Sequence, residues 1–227
     1  MELARQAEKS GWTRPTLLAK IKEVKTGKKG EDGDARKGKQ KARARNRLIP
    51  KRGSLNTYQI VRSETIHGGV EFLIDLGFAT FKEIPAGARR RFQEGNIFVV
   101  KGKRRFVKLP KATRRDLFTY RAFVERVVDA DNLWLRIDLG FGLRTRRKPR
   151  LRGIDAPELG TEAGRRAKRF VENELKDVPF VTLTTTKPDK FDRYLSDVYY
   201  EKDGKEIYLN QLLLDKGFAR LVRDDTD

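Results

Sequence analysis

The pentapeptide Ile-Asp-Leu-Gly-Phe occurs twice, at 74–78 and at 137–141. Each copy follows the word Leu-x-Thr-Tyr, as Leu55-Asn56-Thr57-Tyr58 before the first and Leu117-Phe118-Thr119-Tyr120 before the second. From Tyr to Asp the spacing is 17 residues in the first copy and 18 in the second. Unrelated strands ending in similar turns have no reason to share both words at a matched distance. The chain is therefore read as carrying an internal duplication of a β-hairpin unit. The duplication divides it into a helical segment at 1–24, a flexible basic linker at 25–52, a first β-rich repeat at 53–116 and a second, longer copy at 117–227.

In the first segment, Leu3, Ala4 and Ala7 make a short apolar stripe that Gly11 interrupts. Thr13 and Pro15 then open a second helical pattern through Leu17, Leu18, Ile21 and Val24. A helix pair of this kind either docks on a neighbour or forms a helix-turn-helix. The run at 25–52 is rich in Lys, Arg and Gly and nearly lacks apolar side chains, so it cannot bury enough surface to order itself. In 53–116, alternating segments flank His67-Gly68-Gly69 and Lys101-Gly102-Lys103 as two hairpins, with His67 assigned to its turn.

Charge separates the two halves. Residues 1–116 hold 30 Lys and Arg against 12 Asp and Glu, a net +18, whereas 117–227 hold 22 against 20. Nearly the whole formal charge of +20 thus lies in the front half, the pattern of an extension that binds polyanions. Nucleic acid is the expected partner; a membrane is not, since no amphipathic anchor is evident. The clusters Arg89-Arg90-Arg91 and Lys101–Arg105 suit phosphate contacts in the first repeat. Phe92, Phe98 and Phe106 are either base-stacking or core residues, and the core is the commoner fate of Phe.

The chain has no Cys and a single His, which removes disulfides, thiolate metal sites and multi-histidine sites together. A metal held here must sit among oxygens, which points to calcium or magnesium. The N-terminal residues carry acidic groups and no apolar core of a secretory signal, and no run reaches membrane-spanning length. A cytoplasmic location is expected on those grounds.

The candidate chemistry lies in the second copy. A strand at Phe123–Val128 runs into Asp129-Ala130-Asp131, and Leu133–Ile137 continues. A further extended segment leads to Arg150-Leu151-Arg152-Gly153-Ile154-Asp155-Ala156-Pro157-Glu158. Thr161 caps a helix with Ala163, Ala167, Phe170 and Val171 on one face. Phe180–Thr185 is β-rich, Asp189-Lys190-Phe191-Asp192-Arg193 leads into Tyr194–Tyr200, and a short helix at Leu209–Asp215 ends near Gly217. Strands in this order, with a helix after the third, give a mainly β, α+β class with a five-stranded oligonucleotide-binding barrel in the C-terminal half.

The ordered words VVDADxL, RLRGIDAPE, DKFDR and LNQLLLDKGFARL resemble the staphylococcal nuclease (thermonuclease) family over about residues 118–222. The resemblance implies calcium-dependent hydrolysis of phosphodiester bonds in DNA, with RNA as a second substrate class. It also implies Asp131 and Asp155 as calcium ligands with the carbonyl of Ala156 beside them. Glu158 would act on the attacking water, and Arg150 and Arg193 on the phosphate. The residue chemistry agrees: hard carboxylate oxygens suit calcium, guanidinium forks suit an anionic transition state, and a carboxylate suits a general base. Individually, the same residues read better as turn, capping and surface groups; it is the joint set at these spacings that favours the catalytic reading.

Several positions depart from the family pattern. Asn132 and Ala156 each stand where Thr is usual, and Asp192 replaces a Gly beside Arg193. The first repeat keeps the hairpin frame but has neither a DxD nor an IDAPE word, so it is expected to lack a metal site. The alternative to an enzyme is a catalytically silent nucleic-acid-binding protein built on nuclease-like barrels.

Overall fold

In the first repeat, β1 (Thr57–Glu64) and β2 (Val70–Asp75) form an antiparallel hairpin that turns through His67 and Gly68, the latter at φ 79°. The computed structural model describes residues 47–65, 67–102, 105–188 and 193–222; the expected helices at 1–24 and most of the linker lie outside them. Strand β3 (Phe81–Glu83) pairs with β2, and a 3-10 turn at Ala86–Arg91 leads to β4 (Ile97–Lys101) and β5 (Arg105–Lys108). The sheet order is β3-β2-β1-β4-β5, all antiparallel, with β3 and β5 at its ends. Phe92, Phe98 and Phe106 are buried and in mutual ring contact, at 4.9 Å for Phe92–Phe98 and 5.4 Å for Phe98–Phe106. They are core rather than base-stacking residues.

The second copy begins with β6 (Thr119–Asp129) and β7 (Asn132–Gly140), and β8 (Leu143–Arg147) folds back on β7. Two short strands follow, β9 (Arg150–Leu151) and β10 (Ile154–Asp155), and then helix α1 (Glu162–Leu175). Thr161 caps α1 by accepting from Gly164 N at 3.0 Å, and Gly164, Ala167, Val171 and Leu175 form its buried stripe. The remainder is β11 (Val181–Pro188), β12 (Tyr194–Lys202), β13 (Lys205–Tyr208), helix α2 (Leu209–Asp215) and β14 (Arg220–Leu221). Pairing runs β11-β6-β7-β9-β12-β13, and β12 also pairs with β11. Strand β9 joins this series narrowly: Arg150 pairs with Asn132 on one side and with Leu195 on the other. A separate two-stranded sheet joins β10 to β14. The class is mainly β with a few helices. Among the described residues no helix is long and apolar enough to cross a membrane.

The duplicated words have the same local structure. Asn56 and Phe118, at the same place in the two Leu-x-Thr-Tyr words, both have positive φ (57° and 56°). Asp75 accepts from Gly77 N at 2.8 Å, and Asp138 accepts from Gly140 N at 2.9 Å. Each Tyr then reaches the other copy. The Tyr58 hydroxyl donates to the Leu139 carbonyl, and the Tyr120 hydroxyl donates to the Leu76 carbonyl. Gly77 and Gly140 allow this close approach, because a Cβ on either would stand 2.0 Å from the incoming hydroxyl. The repeats are thus joined by a quasi-two-fold contact in which each supplies the same donor and the same acceptor.

Residues 48–52 differ from the expectation of a flexible linker. Leu48 is buried, with one methyl 2.5 Å from where a Cβ on Gly153 would stand, and its N–H donates to Gln211 at 2.8 Å. The Ile49 carbonyl accepts from Arg152 at 2.7 Å and the Lys51 carbonyl from Tyr199 at 2.9 Å. Leu48-Ile49 is an apolar pair closing an otherwise charged run, and burial of Leu48 anchors the backbone acceptors beside it.

Candidate active site

Asp131 is placed by the tight turn between β6 and β7. Its backbone N–H lies 3.3 Å from Asp129 Oδ1, and Asn132 Nδ2 donates to both Asp129 (2.9 Å) and Asp131 (2.8 Å). The Asp131 carbonyl accepts from Leu151 N at 2.8 Å, which binds the turn to β9. Asn132, one of the departures from the family pattern, therefore serves as a clamp on the two carboxylates. Asp155 comes from β10 and is register partner to Arg220 of β14. Arg150, on β9, directs its guanidinium between the two carboxylates.

Arg150 Nη2 lies 2.9 Å from Asp131 Oδ2 and 2.6 Å from Asp155 Oδ1. Arg220 takes the other Asp155 oxygen with Nε at 2.9 Å and Nη2 at 2.6 Å. Asp131 Oδ2 also accepts from Ala156 N at 3.3 Å. Burial pushes the Asp131 carboxyl up to about 6, helped by its hydrogen bond to Asp129 and opposed by Arg150. For Asp155 burial acts in the same upward direction. Hydrogen bonds from Arg220 and then Arg150 outweigh it and hold the carboxyl below its ordinary value.

The loop is held from behind by Arg152. Its Nε and Nη2 donate to the two oxygens of Asp197 at 2.8 and 2.7 Å, and Asp197 is fully buried. Tyr208 donates to the same carboxylate. Asn210 donates to the carbonyls of Arg152 (3.0 Å) and Ser196 (2.9 Å). Among the residues of the RLRGIDAPE word, Arg152 thus carries the framework while Arg150 and Asp155 face the site.

Glu158 is exposed on the lip of a cleft of about 480 Å³ formed with Asp155, Phe218 and Arg220. Its backbone carbonyl accepts from Thr161 at the head of α1. Phe218 is held there by stacking on Phe170 of α1, with centroids 4.5 Å apart. Arg193 directly precedes β12, two residues before Leu195, the partner of Arg150. Asp189–Asp192 lie outside the described residues. The structure therefore brings Asp131, Arg150, Asp155 and Ala156 into contact and sets Glu158 beside them. Sequence reasoning missed Arg220 and Arg152. Arg220 stood within the LNQLLLDKGFARL word, but its role depends on a strand pairing 65 residues long in sequence.

The donor set fits a hard cation. Two carboxylate oxygens already converge on one cationic atom, at separations little longer than the about 2.3–2.6 Å of calcium–oxygen bonds. Among the described residues no group of three acidic or His side chains is gathered for a metal, so these two carboxylates need backbone or water oxygens beside them.

In a mainly β, α+β fold the site thus joins buried Asp131, a convergent Arg150 and a cleft lipped by Glu158. Residues 148–227 match the family model of staphylococcal nuclease homologues. The chain is also similar to an uncharacterized protein of Methanocaldococcus jannaschii, with 29% identity over 127 residues. That alignment covers 45% of this chain and 59% of the relative's length.

Proposed function

We propose that this protein is a calcium-dependent nuclease acting on DNA and RNA phosphodiesters, with the basic N-terminal half capturing the nucleic acid. One observation carries the reading. Asp131 and Asp155 converge on a single cationic point beside exposed Glu158, within the segment that matches the nuclease-homologue family. We read the return of pairing from β12 to β11 as the oligonucleotide-binding barrel that supports this site.

Calcium is assigned to Asp131, Asp155 and the carbonyl oxygen of Ala156, where it supplies positive charge to polarise water and to offset charge developing on the phosphate. Glu158 takes the proton of the attacking water as its oxygen bonds to phosphorus. Arg150 and Arg193 hold the non-bridging oxygens, and their forks strengthen as negative charge accumulates. The bond to the leaving ribose or deoxyribose oxygen breaks, and that oxygen takes up a proton from solvent. By family likeness the cut leaves a 3′-phosphate.

A second reading, a silent nucleic-acid binder, is favoured by one observation: Arg150 and Arg220 already neutralise Asp155 within the protein. The same experiment decides between them. Purified protein is incubated with single-stranded DNA, duplex DNA and RNA in calcium or in excess chelator, with a Glu158→Gln preparation alongside. Cleavage that needs calcium and is lost in Glu158→Gln supports the enzyme; binding without cleavage under every condition supports the silent binder.

A further inference from the structure

The quasi-symmetry of the two repeats breaks at the Phe of the duplicated word. Phe78, in the first copy, is buried against Tyr194, with ring centroids 4.6 Å apart, and against Tyr120 at 5.3 Å. Its equivalent, Phe141, has the matching Tyr58 contact at 5.2 Å. Its second ring neighbour is Phe106, at 6.1 Å, and unlike Phe78 it is only half-buried and opens on a cavity of about 860 Å³. That volume lies within the range of about 300–1,000 Å³ usual for ligand sites.

The cavity lies between β3, the 3-10 turn and the β4–β5 hairpin. Its charged lining is Lys82, Arg91 and Arg105, with no acidic side chain among the described lining residues. None of these three cations forms an ion pair among the described residues. In contrast, the neighbouring Arg89 is engaged by Glu83 at 3.0 Å. Lys82 Nζ stands 5.9 Å from the Phe141 ring centroid. Phe106 also lines the cavity, and a Cβ added to Gly87, Gly102 or Gly142 would meet nothing within 4 Å, so there is open space at these three glycines.

We infer that this cavity is a second nucleic-acid site, in which one unpaired base of a single strand stacks on the exposed part of the Phe141 ring. The flanking phosphates lie against Lys82, Arg91 and Arg105. A half-buried aromatic ring beside three cations that form no ion pair among the described residues matches a base with its backbone; a duplex would first have to unstack a base to insert it. The choice of nucleic acid as ligand rests on the functional reading above. The location of the site does not, because none of its lining residues belongs to the candidate catalytic set.

The test uses the full chain in excess chelator, so that no cleavage intervenes, and a fluorescein-labelled oligothymidylate as probe. Lys82→Ala/Arg91→Ala/Arg105→Ala is compared with Lys111→Ala/Arg114→Ala/Arg115→Ala, which removes the same charge elsewhere, and with Phe141→Ala. The cavity triple is expected to weaken binding at least about tenfold and to flatten the log–log salt dependence by about two, at ~0.7 per phosphate contact on a single strand. Phe141→Ala should weaken binding about tenfold with the salt slope unchanged, as loss of one stacked base requires. Equal losses in the two triple variants, or wild-type affinity in Phe141→Ala, overturn the site. Displacement of the probe by thymidine monophosphate at the concentration that suffices for unlabelled oligothymidylate overturns the strand assignment in favour of a free nucleotide. A protein that never cleaves can still give the expected result. Failure here leaves the calcium-dependent cleavage assay free to succeed.

Discussion

The Tyr58 hydroxyl donates to the backbone carbonyl of Leu139 at 3.0 Å, across the junction of the two repeats. The equivalent Tyr120 does the same to Leu76 at 2.9 Å. Both phenols are buried, and burial pushes their hydroxyls well above the ordinary tyrosine value, so they remain donors throughout the accessible pH range. Tyr58→Phe leaves a buried carbonyl without its partner and is expected to destabilise the protein by about 1–3 kcal/mol, as is Tyr120→Phe. Chemical denaturation checks this; unchanged midpoints in both variants would show that the reciprocal bonds do not hold the halves together.

The Arg152–Asp197 pair should be the more costly one to break. Asp197 is fully buried, and Arg152→Met removes its bidentate partner while leaving the charge in place. A loss of about 3–5 kcal/mol is expected from such a change. A thermal melt within a degree or two of the wild type would rule out a framework role for this pair.

Arg150 predicts a linkage between metal and stability. In Arg150→Ala, Asp131 and Asp155 face each other without the guanidinium that now sits between them. Calcium should therefore raise the melting temperature of Arg150→Ala more than that of the wild type, where the cation must displace or share with Arg150. Turnover should fall by about a hundredfold or more as transition-state contacts are lost. An equal calcium response in the two proteins would remove these carboxylates as the ligand pair.

Gly164 tests how closely α1 supports the Glu158 loop. An added Cβ would stand 2.0 Å from the Glu158 carbonyl oxygen and 2.7 Å from that of Pro157. Gly164→Ala must push the loop away, with an overpacking cost of about 1–3 kcal/mol. Turnover should drop although no candidate catalytic side chain has changed. Full turnover and full stability together would mean that the loop yields freely.

The segment at 48–52 makes two truncations distinguishable. Removing residues 1–46 takes away 14 basic and 6 acidic residues but no described contact. Binding to long nucleic acid should then weaken at low salt and lose salt dependence, with cleavage of a short oligonucleotide retained. Extending the cut through 52 also removes Leu48 and the carbonyl acceptors of Arg152 and Tyr199, and should lower the melting temperature markedly. Equal melting temperatures for the two truncations would mean that the segment contributes nothing to the fold.

The sequence by itself determined the features that are local. Thr161 as a cap, the hairpin at His67-Gly68, Ala167 and Val171 of the α1 stripe, and the repeated turns all follow from short-range rules of capping, periodicity and glycine conformation. The acidic and arginine words also single out Asp131, Arg150 and Asp155, which the folded chain brings into ion pairs. Other features required the tertiary structure because they depend on residues far apart in the chain. Arg220 reaches Asp155 only because β14 pairs with β10, and Asn132 becomes a carboxylate clamp only when the β6–β7 turn closes. Leu48 looked like the end of a linker until Gly153 left room for it. The duplicated word announced two equivalent Phe residues, but packing decided that Phe78 is buried against Tyr194 while half-buried Phe141, beside Phe106, opens on a basic cavity. A repeat fixes like backbone in both copies, whereas what lies against each copy depends on the rest of the chain.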